Sequence, residues 1–168
     1  MITIKTTQKE LEQLSPPCKC KACETGCHYG SGVLADEDYQ SIADHLSISV
    51  EELKEKYLSE VEKFHTKRHQ PKIKREEGKP HGTCIFYDNG CTLHPVKPME
   101  CKVSSGCNGQ GEDINQWVLF HTFVNPADPQ SVREWASWLK FRKPITGAKV
   151  EEIVPDEKKR KKILSYEV

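Results

Sequence analysis

Eight cysteines carry the chemistry this chain offers most plainly. Cys18, Cys20, Cys23 and Cys27 fall within ten residues, and Cys84, Cys91, Cys101 and Cys107 fall within twenty-four. Thiolates are soft ligands for zinc and for the iron of iron-sulfur clusters, and four of them complete a tetrahedral shell. All eight are therefore candidate metal ligands, enough for one centre with four spare thiols or for two four-thiolate sites. The rival reading is a disulfide framework, which belongs to chains of oxidising compartments. Met1 to Leu14 carries lysine and glutamate where a signal peptide needs an apolar segment, and the longest apolar run, Trp117 to Phe120, is too short to span a bilayer. The chain thus reads as cytoplasmic with no membrane partner, and its thiols as reduced. Crowding within Cys18 to Cys27 points the same way: four separate disulfide partners would strain that segment, whereas one ion or cluster gathers it.

The spacing leaves zinc and iron open. Zinc sites commonly pair two short Cys-x2-4-Cys units. Only the first group holds such pairs, Cys20 with Cys23 or Cys23 with Cys27. The second group has longer and irregular gaps, which favours an iron-sulfur cluster (4Fe-4S) over Zn2+ as the cofactor. His28 and His94 are minor candidates to replace a thiol. His65 and His69 stand four apart, a metal-pair spacing on a helix, but Gln70-Pro71 ends the helical pattern there and solvated histidines are the plainer account.

Composition bounds the rest. Of 168 residues, 30% are charged and 36% hydrophobic, so the apolar core is thin for the length and metal ligation would compensate for it. With 25 basic against 25 acidic residues, bulk charge draws the chain toward neither nucleic acid nor anionic lipid. Two local basic stretches exist, Lys63 to Arg75 and Lys158 to Lys162. The second follows Pro155-Asp156-Glu157 and reads as a short solvated helix with acids at its positive end and bases at its negative end.

The predicted elements that position the cysteines are mainly helical. Thr7 to Glu10 is a capping box, Leu11 and Leu14 give the next turn an apolar edge, and Ser15-Pro16-Pro17 stops it. Asp36-Glu37-Asp38 opens a helix with Tyr39, Ile42, Ala43 and Leu46 on one face. Ser49 caps a second helix whose core face is Val50, Leu53, Tyr57, Leu58, Val61 and Phe64, giving a helical hairpin between the cysteine groups. Lys72 to Arg75 is an exposed strand, and Cys84 to Tyr87 with Cys91 to His94 reads as a β-hairpin around Asp88-Asn89-Gly90. Pro95 and Pro98 then make a loop that delivers Cys101, and Gly106 lets the backbone turn before Cys107. Asn108 to Glu112 is a loop. Trp117 to Val124 is strand or helix, and Asp128-Pro129 starts a helix with Val132, Trp135, Ala136 and Leu139 on one face. The tryptophan-rich segment is expected to cap the core or bury the metal loops. The fold class is a small, metal-stabilised α+β domain, mainly helical, over residues 1–145, with a charged tail or helix over 146–168.

From Cys91 to Lys102 the chain resembles the YkgJ-type cysteine-cluster family, a zinc- or iron-chelating domain. Cys20, Cys23 and Cys27 follow its dense amino-terminal knuckle; Asp38, Ile42 and Ala43 its aspartate-led helix; and Cys84, Phe86, Cys91, Leu93, Pro98 and Cys101 its carboxy-terminal pattern. Gly26-Cys27 stands where the family has adjacent cysteines, His94 where it has tyrosine, and Lys97 and Lys102 where it prefers arginine. Lysine cannot hold a carboxylate in the bidentate fork that arginine offers. The resemblance implies bound metal. Three functions follow: a cluster protein with a structural or redox centre acting through a protein partner; a zinc-stabilised module binding nucleic acid or protein; or a cluster-dependent enzyme, since flagellin lysine N-methylases contain a similar cysteine domain. The first is the main reading.

Overall fold

Ile42 and Ala43 on the aspartate-led helix, with Leu34, Leu53, Leu58, Phe86 and Leu93, form the apolar centre around which the cysteine-bearing segments are wound. The computed structural model describes every residue except Pro17, Ser105 and Asn108. Its contacts divide the chain into two units. One, here the cysteine unit, comprises Gln8–Val61 and Arg68–Gly111; the other, the tryptophan unit, comprises Met1–Thr7, Glu62–Lys67 and Glu112–Val168. The described residues are mainly helical with two small antiparallel sheets, so the α+β class read from the sequence holds.

The cysteine unit begins with α1 (Gln8–Leu14), α2 (Lys21–Tyr29) and α3 (Asp38–Leu46). Leu11 is buried, but Leu14 is half exposed, so α1 has a narrower apolar edge than its sequence suggests. The proline stop after α1 includes Pro17, which lies outside the described residues. Ser49 does cap the next helix, its hydroxyl accepting from the Glu52 amide at 3.1 Å. That helix is short: α4 (Val50–Glu52) runs into a π turn at Leu53–Tyr57, and the chain then extends. Leu58–Lys63 is β1, paired with β2 (Thr66–Pro71), rather than the continuation of a helix to Phe64. Phe64 and His65 adopt positive φ angles of 48° and 58°, the left-handed two-residue turn that matches the twist of a hairpin. The apolar residues of Leu-Ser-Glu-Val-Glu-Lys, Leu58 and Val61, stand at the helical interval of three; long-range pairing overrides that local pattern.

Strand β3 (Ile73–Arg75) is exposed as expected, but it pairs antiparallel with β4 (Gly82–Cys84), Ile73 opposite Cys84. The predicted hairpin of Cys84 to Tyr87 with Cys91 to His94 shrinks to one bridge, Tyr87 to Cys91, closed by the Asp88 amide donating to the Gly90 carbonyl at 2.9 Å. Pro95 sits in a single 3-10 turn (His94–Val96), and Pro98 caps α5 (Met99–Val103), so Cys101 arrives on a helix and not a loop.

The tryptophan unit contains most of α6 (Gly111–Phe123), which settles the Trp117 segment as helical, then α7 (Pro129–Leu139), α8 (Val150–Ile153) and α9 (Glu157–Leu164). The loop read at Asn108 to Glu112 ends as α6 begins, and Asn108 is outside the described residues. Asp128 caps α7 through the Gln130 amide. Trp135 is fully buried, stacks on Trp138 at 5.0 Å, and donates its indole N–H to the Ala148 carbonyl. The three tryptophans thus serve the core of their own unit. The tail forms α9, capped by Asp156 through the Lys159 amide, and Lys158, Lys159, Lys161 and Lys162 are exposed as a solvated face requires. No helix among the described residues is long and apolar enough to cross a membrane.

Candidate metal centre

Of the first cysteine group, Cys18 precedes α2 in irregular chain, while the other three follow the helix. Cys20 is the N-cap of α2, and Cys23 and Cys27 follow at intervals of three and four, the spacing that keeps side chains on one side. A rise of about 1.5 Å per residue puts Cys27 about 6 Å along the axis from Cys23 and about 10 Å from Cys20. One ion can therefore take Cys20 with Cys23, but not Cys20 with Cys27.

The partners are Cys18 and Cys107. The sulfurs of Cys18, Cys20, Cys23 and Cys107 all lie within 4.8 Å of one another. Cys20 and Cys23 sulfurs are 3.5 Å apart, Cys23 and Cys107 3.6 Å. Tetrahedral zinc, with bonds of about 2.3 Å, holds its four sulfurs about 3.8 Å apart. The set fits a single tetrahedral ion. A four-iron cluster gives each thiolate its own iron, so its ligand sulfurs stand apart by the width of the cluster as well as by the metal bonds.

Cys107 can reach α2 because of Gly106. Its φ is not in the left-handed region; glycine is required by close approach, since a Cβ there would overlap the Ala22 carbonyl in the first turn of α2. At Cys18 the Cys20 amide donates to the sulfur at 3.4 Å and favours the thiolate, yet proton sharing with Cys20 and Cys23, burial and Cys107 outweigh it and push the thiol up to about 11. A bound cation would reverse that balance, because four crowded sulfurs repel one another only when nothing positive sits among them.

The other four cysteines converge on a cavity beside the first set in the same unit. Cys27 comes from α2, Cys84 from the end of β4, Cys91 from the bridge and Cys101 from α5. All four line a cavity of ≈ 350 Å³ together with Cys18 and Cys23 of the first set and with Phe86, Leu93 and Lys97. Burial pushes the Cys84 thiol up to about 11 against the Phe86 amide that pulls it down. Cys101 is raised chiefly by burial and then by Glu100, and Cys27 by burial and then by Cys91, with Lys97 opposing. The two sequence groups thus exchange a member each: Cys107 joins the first, Cys27 the second.

Asp38 holds Cys101 in place. Its carboxylate, 3% exposed, accepts from the Ala35 amide at 2.7 Å and the Met99 amide at 2.6 Å through one oxygen, and from Lys102 Nζ at 3.3 Å through the other. Lys102 therefore makes the carboxylate contact suggested for an arginine there, but at one point. Glu100 adds a second tie, accepting from the Val33 amide at 2.7 Å. Gly32 lies flush against Cys101, leaving no room for a Cβ. Sequence reasoning passed over Glu100 and Gly32; the Gly30-Ser31-Gly32 spacing was the one available signal of a close approach.

The histidines take other roles. His28 is exposed and packs edge-on against Tyr87 at 4.5 Å. His94 has a buried Nε2 without a partner among the described residues, and burial, then Lys97 and Lys19, holds it below its ordinary value. His65 sits in the β1–β2 turn, 2.6 Å from Asp128, while His69 on β2 meets the Tyr39 hydroxyl at 2.9 Å, so neither stands on a helix. Within the basic stretch, Lys63 lies over the Phe123 ring and Lys72 donates to the Glu55 carbonyl.

The family model CxxCxxCC, described as "Putative zinc- or iron-chelating domain", matches residues 19–118, more than half of the chain. No curated protein and no solved structure matches.

Proposed function

Because the chain belongs to the CxxCxxCC family of zinc- or iron-chelating domains, we propose that Cys18, Cys20, Cys23 and Cys107 bind one mononuclear metal ion, zinc by preference, as a structural centre. The observation that carries this reading is the mutual approach of the four sulfurs within 4.8 Å, close to the spacing of a tetrahedral tetrathiolate. Zinc in such a closed shell supplies folding energy rather than a reactive site, on the order of 10–16 kcal/mol in small peptides. Its role here is to tie the start of α2 to the segment carrying Cys107, across a loop of more than eighty residues that a thin core holds weakly. Gly106 admits that segment, and the N-cap position sets the Cys20 sulfur beside Cys23.

The centre works through a protein partner. Cys20 and Cys107 are exposed, so the rim of the site faces solvent and is open to recognition by another chain.

Metal analysis of the full chain tests the reading. Purified protein should hold one zinc at this site, and cobalt(II) in its place should give the visible absorption of a tetrahedral thiolate complex. Cys20→Ser and Cys107→Ser should each abolish that cobalt signal. Retention of the signal in Cys107→Ser would show that the shell is local to the amino-terminal group and would overturn the shared centre.

A further inference from the structure

Two sulfurs press on that of Cys23: Cys20 stands 3.5 Å away and Cys107 3.6 Å away. A disulfide bond is about 2.05 Å long, so either pair needs a further approach of about 1.5 Å. What holds the two pairs differs. Cys107 comes from 84 residues along the chain, and its seat depends on Gly106 lying against the Ala22 carbonyl. Cys20 and Cys23 belong to one turn at the start of α2, where the helix itself sets their spacing. Cys20 is the N-cap, with an extended backbone (φ −72°, ψ 162°), so it can rotate toward Cys23 without unwinding a helical residue. Access also singles it out. Cys20 and Cys107 are exposed, whereas Cys84 is buried and the remaining five cysteines are half-buried.

From this geometry we infer that Cys20 and Cys23 form a peroxide-reactive dithiol, with Cys20 the attacking thiol and Cys23 the resolving one. The substrate class is a small hydroperoxide, of which hydrogen peroxide is the simplest. The Cys20 sulfur attacks one peroxide oxygen: an S–O bond forms, the O–O bond breaks, and hydroxide leaves and is protonated from solvent. Cys20 is then a sulfenic acid. The Cys23 sulfur attacks the Cys20 sulfur in turn: an S–S bond forms, the S–O bond breaks, and a second hydroxide leaves and is protonated. Two thiolates have lost two electrons, and one peroxide has become two waters. Further oxidation of Cys20 to the sulfinic acid needs a second peroxide to arrive, whereas Cys23 already stands 3.5 Å away. The disulfide leaves only Cys18 and Cys107 of the four sulfurs that lie together. Its consequence for metal rests on the tetrathiolate reading above: a pair so joined can no longer complete the shell, and the Cys107 segment loses its tie to α2. The dithiol chemistry itself rests on the distance and exposure of two thiols.

The test is titration of the full chain with hydrogen peroxide, both zinc-loaded and metal-free. About one equivalent should take the free thiols from eight to six per chain, lower the mass by two hydrogens, and give one disulfide, Cys20–Cys23, mapped by mass spectrometry of a digest. Dithiothreitol should restore all eight thiols. In the loaded chain zinc should appear in solution, read with a chromogenic chelator, in step with the disulfide. Cys23→Ser should stop at a sulfenic acid on Cys20 that dimedone labels. Metal-free Cys107→Ser should still form the disulfide, because that pair lies within one turn of α2. A disulfide at Cys23–Cys107 or elsewhere, sulfinic acid at Cys20 without a disulfide, or survival of all eight thiols in either arm would each overturn the inference on the unmodified chain alone, however well the variants fold. A Cys20–Cys23 disulfide in a chain that never held zinc, or that keeps its zinc after oxidation, would strike the proposed function and leave the dithiol standing.

Discussion

Asp38→Ala should uncouple α5, and with it Cys101, from the body of the cysteine unit. The carboxylate is almost wholly buried and serves three donors: the Ala35 and Met99 amides on one oxygen and Lys102 Nζ on the other. Each hydrogen bond to a charged acceptor contributes about 1.5–3 kcal/mol, and removal of the acceptor strands its donors. Two backbone bonds lost together therefore cost about 3–6 kcal/mol. The ion pair adds little more, because Lys102 regains water. Asp38→Asn is the discriminating companion. Its amide oxygen still accepts from both backbone donors, while its NH2 faces Lys102, so the loss falls to about 1–3 kcal/mol. The assay is equilibrium urea unfolding of the metal-loaded chain followed by far-UV circular dichroism. With a slope of about 2 kcal/mol per molar, the alanine variant should shift the midpoint down by about 1.5–3 M and the asparagine variant by about 0.5–1.5 M. Metal bound by Cys18, Cys20, Cys23 and Cys107 should persist in both, since none of those residues lies on α5. Equal midpoints for the two variants, or an alanine variant as stable as the parent, would refute the reasoning: the amides would then find other acceptors, and Asp38 would not hold α5.

Three further outcomes are expected. Gly106→Ala forces a Cβ against the Ala22 carbonyl and displaces Cys107, an overpacking cost of about 1–3 kcal/mol that should weaken zinc affinity in a chelator competition by about one to two orders of magnitude while Gly109→Ala, in open space, has no such effect. The His65–Asp128 pair should make stability depend on pH: Asp128 raises the His65 value above its ordinary 6.5, a contribution complete below 6.5 and lost as pH rises through the folded value, and His65 lowers Asp128 below its ordinary 3.8, a contribution lost as pH falls through that lowered value. His65→Ala should therefore destabilise most between about pH 4 and 6.5 and least at pH 9, read by tryptophan fluorescence in urea. The chain should bind RNA and DNA no more tightly than about 1–100 micromolar at physiological salt, because its charges balance and its basic stretches are partnered or solvated; anisotropy across a salt series checks this, and tight binding lost on changing Lys72, Lys74 and Arg75 to glutamate would contradict it.

What the sequence by itself determined is local or chemical. Eight thiols in a chain with a thin core point to bound metal whatever the fold, because thiolate softness belongs to the residue. The aspartate-led helix, the Ser49 and Asp128 caps and the exposed β3 strand were legible because caps and periodicity act over a few residues. Even the division of the first cysteine group was latent there: intervals of three and four, once taken as helical, set Cys20 and Cys27 too far apart for one ion. Tertiary structure alone decided the rest. Leu58–Lys63 carries its apolar residues at the helical interval, and only its pairing with Thr66–Pro71 makes it a strand. Cys84 finds its strand partner at Ile73 rather than across the nearby turn. Cys107 crosses to Cys23 because a glycine lets two backbones touch, and Cys27 turns to Cys84, Cys91 and Cys101 around a cavity. Which sulfurs share a centre is a property of distances between segments far apart in the chain. Spacing along the sequence does not encode those distances, and packing does.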